Sequence, residues 1–317
     1  MTLIQQKFMT GLEFIKSKQQ IWANRKDFQL VGGTIPDKGE KNYLQNFSDN
    51  LFEQLSEKSL DCFNSGDGNE TKDGKTRLAK MKALHSSSAI VVNVFQYWQK
   101  DVYPIAYACN LCSKHPLGID IMVENIGSNQ PKMFSTSKSK TENKIKFEEQ
   151  FEISKDKSQF PRSPNIDVVI EGFQPLVYAI ESKFTEPYSG KPKGIKQQYI
   201  TNTSFWNGLP YLYELAKEIS PNNNRFQYLD AAQLIKHILG LKKKHNKNGF
   251  LLLYLWYDVI GKDSFEHLKE IEQFAEVAKK DNINFKHITY QEVIIKLAKE
   301  FYGGNESYCD YLTIRYL

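Results

Sequence analysis

The sequence predicts an α/β protein, a mixed central sheet with helices on both sides and an N-terminal helical elaboration. Three observations carry that expectation. Two β-rich runs, 166–171 and 176–184, are separated by Gly172, Phe173, Gln174 and Pro175, the pattern of a hairpin. From 249 onward, strand and helix patterns alternate: a buried strand over 249–259, a helix over 264–280, a short strand over 284–289 and a helix over 290–301. Before residue 60, Leu12, Phe14, Ile15 and then Leu44, Phe47, Leu51, Phe52 and Leu55 recur at helical spacing, broken by Gly32, Gly33 and Pro36.

The remaining elements follow in order. Residues 1–76 are expected to form the helical region and a loop over 64–75, and residues 77–317 the core domain. A helix over 77–99 has broad apolar coverage from Leu78, Met81, Leu84, Ile90, Val91, Val94, Phe95 and Trp98. The lysine- and serine-rich stretch 129–144 reads as a mobile loop. Over 145–153, Ile145, Phe147, Phe151 and Ile153 alternate with Lys146, Glu148, Gln150 and Glu152, and Glu149 alone breaks the apolar side. Helices over 210–219 and 226–241 complete the chain, the second with Leu229, Ile235, Ile238 and Leu239 along one side.

Composition narrows the classes. With 317 residues, 40% of them hydrophobic, the chain can bury a large core without disulfides. The four cysteines, at 62, 109, 112 and 309, make no disulfide framework and are expected to be free thiols. Cys109 and Cys112 with His115 invite a zinc reading, but a structural site needs four ligands and the other cysteines stand apart. No apolar run is long enough to span a bilayer, and the N-terminus lacks the apolar core of a secretion signal, so a cytoplasmic location is expected. A net charge of +5 permits a polyanionic partner without requiring one.

The chemistry concentrates in the hairpin. Asp167 opens its first strand, and Glu181-Ser182-Lys183 closes the second. Residues two apart on a strand share a face, so Glu181 and Lys183 project together. If Phe173-Gln174-Pro175 is a three-residue connection, Gly172 faces Leu176, Asp167 lies opposite Glu181, and the two carboxylates come within reach of one metal ion. The same parity sends Val168, Ile170, Leu176, Tyr178 and Ile180 to the other face and leaves Ala179 beside the acids. A four-residue turn would break this arrangement.

The segment from Pro164 to Lys183 resembles the PD-(D/E)XK nuclease superfamily, which includes many type II restriction endonucleases, and in particular restriction-endonuclease-like bacterial proteins. The resemblance places the aspartate on Asp167, the second acid on Glu181 and the lysine on Lys183. It departs in one place: Ile166, not proline, precedes the aspartate, and Pro164 sits two residues earlier. What it implies is a magnesium-dependent endonuclease cutting DNA, with manganese able to substitute, often as a homodimer. Magnesium takes one or two carboxylates, here Asp167 and Glu181, and the Ser182 carbonyl can add an oxygen. Lys183 would orient or deprotonate the attacking water, its pKa lowered by desolvation. Many family members carry a further acid on the helix before the first core strand; the helix over 77–99 offers Ser86, Ser87, Ser88 and Asn93 instead, with Glu70 in the loop before it. Glu149, a carboxylate on an otherwise apolar face, is the candidate further metal ligand. Gln233 and His237, one turn apart on a helix, are similar to the glutamine-bearing helix that flanks the site in some branches, and Gln233 would hold a water or a phosphate.

Blander readings stand beside these. Acid-x-lysine triplets are common, and Gln233 and His237 can be a hydrogen-bonded pair on a helix flank. The run Lys242-Lys243-Lys244-His245-Asn246-Lys247 reads as a solvated helix end or a phosphate grip, while Lys191, Lys193 and Lys196 are better placed for backbone contact. Tyr97, Trp98, Tyr103 and Tyr107 read as core aromatics. A non-catalytic DNA-binding protein of the same fold, and a nuclease acting on RNA or structured DNA, remain alternatives.

Overall fold

A computed structural model of the chain describes residues 9–65, 70–112, 144–172 and 176–317. Two helices, α1 (Gly11–Arg25) and α2 (Glu57–Ser65), precede α3 (Ser87–Phe95) and α4 (Tyr103–Ala108). An antiparallel unit follows: β1 (Lys144–Gln150), β2 (Asn165–Glu171) and β3 (Val177–Lys183). Two short helices, α5 (Glu186–Ser189) and α6 (Gln197–Thr201), then lead to α7 (Pro210–Glu218) and α8 (Ala231–His245). The chain ends with β4 (Phe250–Trp256), α9 (Lys262–Lys280), β5 (Phe285–Thr289), α10 (Tyr290–Glu300) and α11 (Glu306–Tyr316).

The five strands lie in the order β1-β2-β3-β4-β5, with β4 and β5 parallel to β3, so the sheet is mixed as the sequence predicts. All seven residues of β4 are buried, which its unbroken apolar run Phe-Leu-Leu-Leu-Tyr-Leu-Trp requires of a strand covered on both faces. One core, on the side of α3, α4, α10 and α11, contains Val168, Ile170, Leu176, Tyr178 and Ile180, the face that parity assigned them. The other, beneath α7, α8 and α9, contains Ala179, Leu252, Leu234, Ile238 and Phe274.

The first core also takes in Ile15 of α1, Phe63 of α2 and Tyr316 of α11, so the N-terminal helices pack into it alongside the last helix. Several expectations are corrected here. The apolar span 77–99 is not one helix: a 3-10 turn at Lys80–Lys82 precedes α3, whose start is capped by Ser86 accepting from the Ala89 amide, and Gln96–Gln99 is again 3-10. Hydroxyl side chains that compete for backbone groups place this start within the serine run. The helix expected from 226 starts at Ala231, where Asp230 caps it. The expected alternation of 145–153 also fails, because Ile145 and Phe147 enter the first core whereas Phe151 and Ile153 enter the second. Glu148 between them has a positive φ of 52°, which swings the strand end across. The hairpin connection at 173–175, His115, most of the loop expected over 129–144 and part of that over 64–75 lie outside the described residues. Cys62, Cys109 and Cys309 are free thiols.

Candidate active site

The hairpin register brings the acids together. Val168 pairs with Ile180, Val169 with Ala179 and Ile170 with Tyr178; one step further along the same ladder, Asp167 stands opposite Glu181. The amide of Ser182 donates to Asp167 Oδ2 at 2.7 Å, tying the aspartate to the neighbouring strand. Lys183 Nζ lies 2.5 Å from Glu181 Oε1. Glu181 is fully buried and Lys183 nearly so. Ser182 points to the other face, its hydroxyl 2.6 Å from that of Tyr290.

From below, α8 brings His237, fully buried, with Nε2 2.8 Å from Glu181 Oε2. The separation suits an ion pair, but the alignment does not make a hydrogen bond: Glu181 Oε2 and both ring nitrogens are buried without a hydrogen-bond partner. Further along the same helix, Gly240 lets α8 press on the chain just after β1, where a Cβ would meet the Phe151 carbonyl oxygen at 2.6 Å. One turn before His237, Gln233 lines a cleft of about 410 Å³ together with Lys183 and Lys236.

The electrostatics are unbalanced. Burial opposes the charge on Glu181, but Lys183 and then His237 outweigh it and hold the carboxyl down at about 2. Asp167 goes the other way: burial and then the charge of Glu181 raise it well above the ordinary aspartate value, against the pull of Lys183. For Lys183, burial favours the neutral amine, yet the charges of Glu181 and Asp167 prevail and raise its pKa. The expected lowering is therefore reversed, and Lys183 is held as a cation. Its carboxylate neighbours decide this, because opposite charges a few ångströms apart outweigh desolvation.

Glu149 is not brought to this cluster. Its side chain is partly exposed and lies 3.8 Å from Lys244. The carboxylate whose charge acts on Asp167 belongs instead to Glu148, which lies between Phe147 and Glu149, the partners of Val168 and Ile166, and accepts from the Asn165 side-chain amide at 3.1 Å. Burial, then the charges of Glu70 and Glu181, raise Glu148 to about 7. Glu70 is held by Lys80 at 2.7 Å and by the Ser88 hydroxyl of α3 at 2.8 Å. Sequence alternation put Glu148 on the polar side of its strand; only the pairing with β2 reveals what that side faces.

These residues fit a divalent cation. The charge of Glu181 raises the pKa of both Asp167 and Glu148, and a cation beside them would relieve that repulsion. Among the described residues no group of three or more His, Cys, Asp or Glu side chains is gathered as a protein-only cage. An ion held by one or two carboxylates, with water and substrate oxygens filling the rest of its shell, needs no such cage.

Among the described residues no helix is long and apolar enough to cross a membrane. No curated protein and no solved structure matches the chain. Residues 16–317 match the family described as Restriction Endonuclease associating with ARP. That match takes in the hairpin, the carboxylate cluster and the helical layers on both faces of the sheet, and the chain belongs to this restriction-endonuclease-like family.

Proposed function

We propose that the protein is a metal-dependent endonuclease of the PD-(D/E)XK type that hydrolyses DNA phosphodiester bonds as a restriction-type enzyme in the cytoplasm. The observation that carries this reading is the hairpin register, which sets Asp167 against Glu181 and holds Lys183 at 2.5 Å from the same carboxylate. Asp167, Glu181 and the Ser182 carbonyl would hold magnesium or manganese. When bound, such an ion neutralises charge on the scissile phosphate and lowers the pKa of the attacking water.

The chain's own groups have distinct tasks. Lys183, kept protonated, donates to the negative charge that develops on the phosphate and orients the water, and general-base work is not the role its environment favours. His237 holds Glu181 from beneath. Gln233 presents an amide to the cleft, able to donate to a phosphate oxygen or accept from water. A homodimer would let two such sites cut both strands.

Incubation of supercoiled plasmid with magnesium, manganese or EDTA tests this reading. Cleavage should require the ion, and Asp167→Asn, Glu181→Gln and Lys183→Ala should each lower its rate on the order of 10³-fold or more while the chain stays folded. Binding without cleavage would favour the non-catalytic alternative, and preferential cutting of competing RNA or branched DNA would move the substrate class.

A further inference from the structure

We infer that the loop over 190–196, together with Lys236 of α8, is a clamp for the phosphate backbone of DNA that acts independently of base sequence. The inference rests on the nuclease reading above and assigns the path of its substrate.

Two lysine-rich stretches follow β3, at 191–196 and 242–247, and the structure treats them differently. In the run at the end of α8, Lys242 donates to the carbonyls of Phe205 and Asn207 at 2.8 Å each, and Lys247 donates to that of Gly208 at 3.1 Å. Lys243 pairs with Glu152 at 2.9 Å, and Lys244 faces Glu149. These ammonium groups brace the fold. The stretch Gly190-Lys191-Pro192-Lys193-Gly194-Ile195-Lys196 is the opposite case. Lys191, Lys193 and Lys196 are exposed, and among the described residues neither they nor Lys236 has a carboxylate partner.

Their backbone is nevertheless fixed. Ile195 is buried, the Pro192 carbonyl accepts from the Asn223 side chain at 3.4 Å, and a Cβ on Gly194 would meet the Pro221 and Ile219 carbonyl oxygens at 2.2 and 2.3 Å. The loop is thus pressed onto the turn after α7 with its lysines outward, so little ordering remains to be done on binding.

The position of these lysines relative to Lys183 gives the row its direction. Two clefts, of about 410 and 400 Å³, meet along Lys193, Gly194 and Lys236. The first contains Lys183 and Gln233, and the second continues away past Lys196 and Ser163. Acids bordering the first cleft are engaged locally: Glu186 accepts from the amides of Phe184 and Thr185, and Asp230 caps α8. A row of ammonium groups leading out from the cluster matches a polyanionic strand running into it. The rings lining the second cleft, Phe160 and Tyr199, pack edge to face on each other at 5.0 Å and are buried, so they offer no platform on which bases stack. The clamp therefore positions the strand and leaves base reading to other elements.

The test is binding of a labelled DNA duplex of arbitrary sequence by the full chain in EDTA over a salt series, where no turnover occurs. The double variant Lys193→Gln/Lys236→Gln should flatten the log affinity against log salt plot by about 2 and weaken binding by roughly eightfold per lysine at about 0.1 M salt. Lys191→Gln should act in the same direction, whereas Lys243→Gln/Lys244→Gln should leave the slope unchanged. An unaltered slope in the clamp variants, or an equal loss in both sets, overturns the inference. Because binding is read apart from cleavage, a chain that binds in this way but never cuts sinks the nuclease reading alone, and one that cuts with an unaffected slope sinks the clamp alone.

Discussion

Two fully buried charged groups in this protein are handled in opposite ways. Arg315 of α11 has every donor group engaged: Nε donates to Gln19 Oε1 at 2.9 Å, Nη1 to the Asn50 carbonyl at 2.8 Å and the Tyr311 hydroxyl at 2.5 Å, and Nη2 to Asn50 Oδ1 and the Leu84 carbonyl. Its Cζ lies 3.9 Å from the centroid of the Trp22 ring. The cluster around Glu181 keeps an acceptor oxygen and two imidazole nitrogens without hydrogen bonds and sets Asp167 and Glu148 against a charged neighbour. A buried charge that serves only the fold is fully satisfied, because an unmet donor costs about 1–3 kcal/mol. Under the proposed function, the unbalanced cluster is where an ion and a substrate phosphate would supply the missing partners. What sets the cluster apart is that its unbonded atoms coincide with carboxylates of raised pKa, whereas His85, His245 and Trp256 carry isolated unbonded nitrogens elsewhere.

The comparison can be broken at either end. The largest effect on stability should come from Arg315→Leu, which strands the acceptors of Gln19 and Asn50; a loss of about 3–5 kcal/mol, or roughly 10 °C in unfolding temperature, is expected by calorimetry. DNA cleavage per folded molecule should be unchanged, the reverse of the Lys183→Ala outcome.

Next comes the pH dependence of the metal-free protein. Glu148 titrates near 7 in the fold, above the ordinary glutamate value of 4.5. Below 4.5 both folded and unfolded chains hold the proton. As pH rises from about 4.5 to 7, the unfolded chain releases it first, so stability falls through that window and stays lower above it. Glu148→Gln should remove Glu148's share of this fall and leave that of Asp167, whose pKa is also raised, a difference on the order of 2 kcal/mol at neutral pH in chemical denaturation. The smallest effect belongs to Lys244→Ala, whose partner Glu149 is 3.8 Å away and partly exposed; a change under about 0.5 kcal/mol is expected in the same assay.

The sequence made the hairpin half of the site legible and hid the rest, for identifiable reasons. A short connection and a side-chain period of two leave only two parities for Asp167 against Glu181, and one of them also collects Val168, Ile170, Tyr178 and Ile180 on a single apolar face. No such argument reaches β1. Its link to β2 is long, and the left-handed backbone at Glu148 breaks the alternation on which Glu149 was chosen. His237 was visible only as a helix partner of Gln233; its approach to Glu181 depends on how α8 packs against the sheet, which spacing along the helix does not give. The Arg315 cluster was beyond reach, since its partners Gln19 and Asn50 are 296 and 265 residues away in the chain. The sheet was readable because β4 is apolar throughout and the β/α alternation is regular; the short α3 was not, because its start is set by a serine cap inside a longer apolar span.

Under the proposed function, the carboxylate pair on the hairpin is incomplete without a divalent ion. The most direct measurement is a calorimetric titration of the purified chain with manganese, followed by thermal unfolding of the loaded protein. Binding should stabilise the wild type by about 2.7 kcal/mol at a hundredfold excess over Kd, and both the binding heat and the stabilisation should vanish in Asp167→Asn and Glu181→Gln while persisting in Lys244→Ala. No binding by the wild type, or binding of equal strength in the two carboxylate variants, would contradict the account.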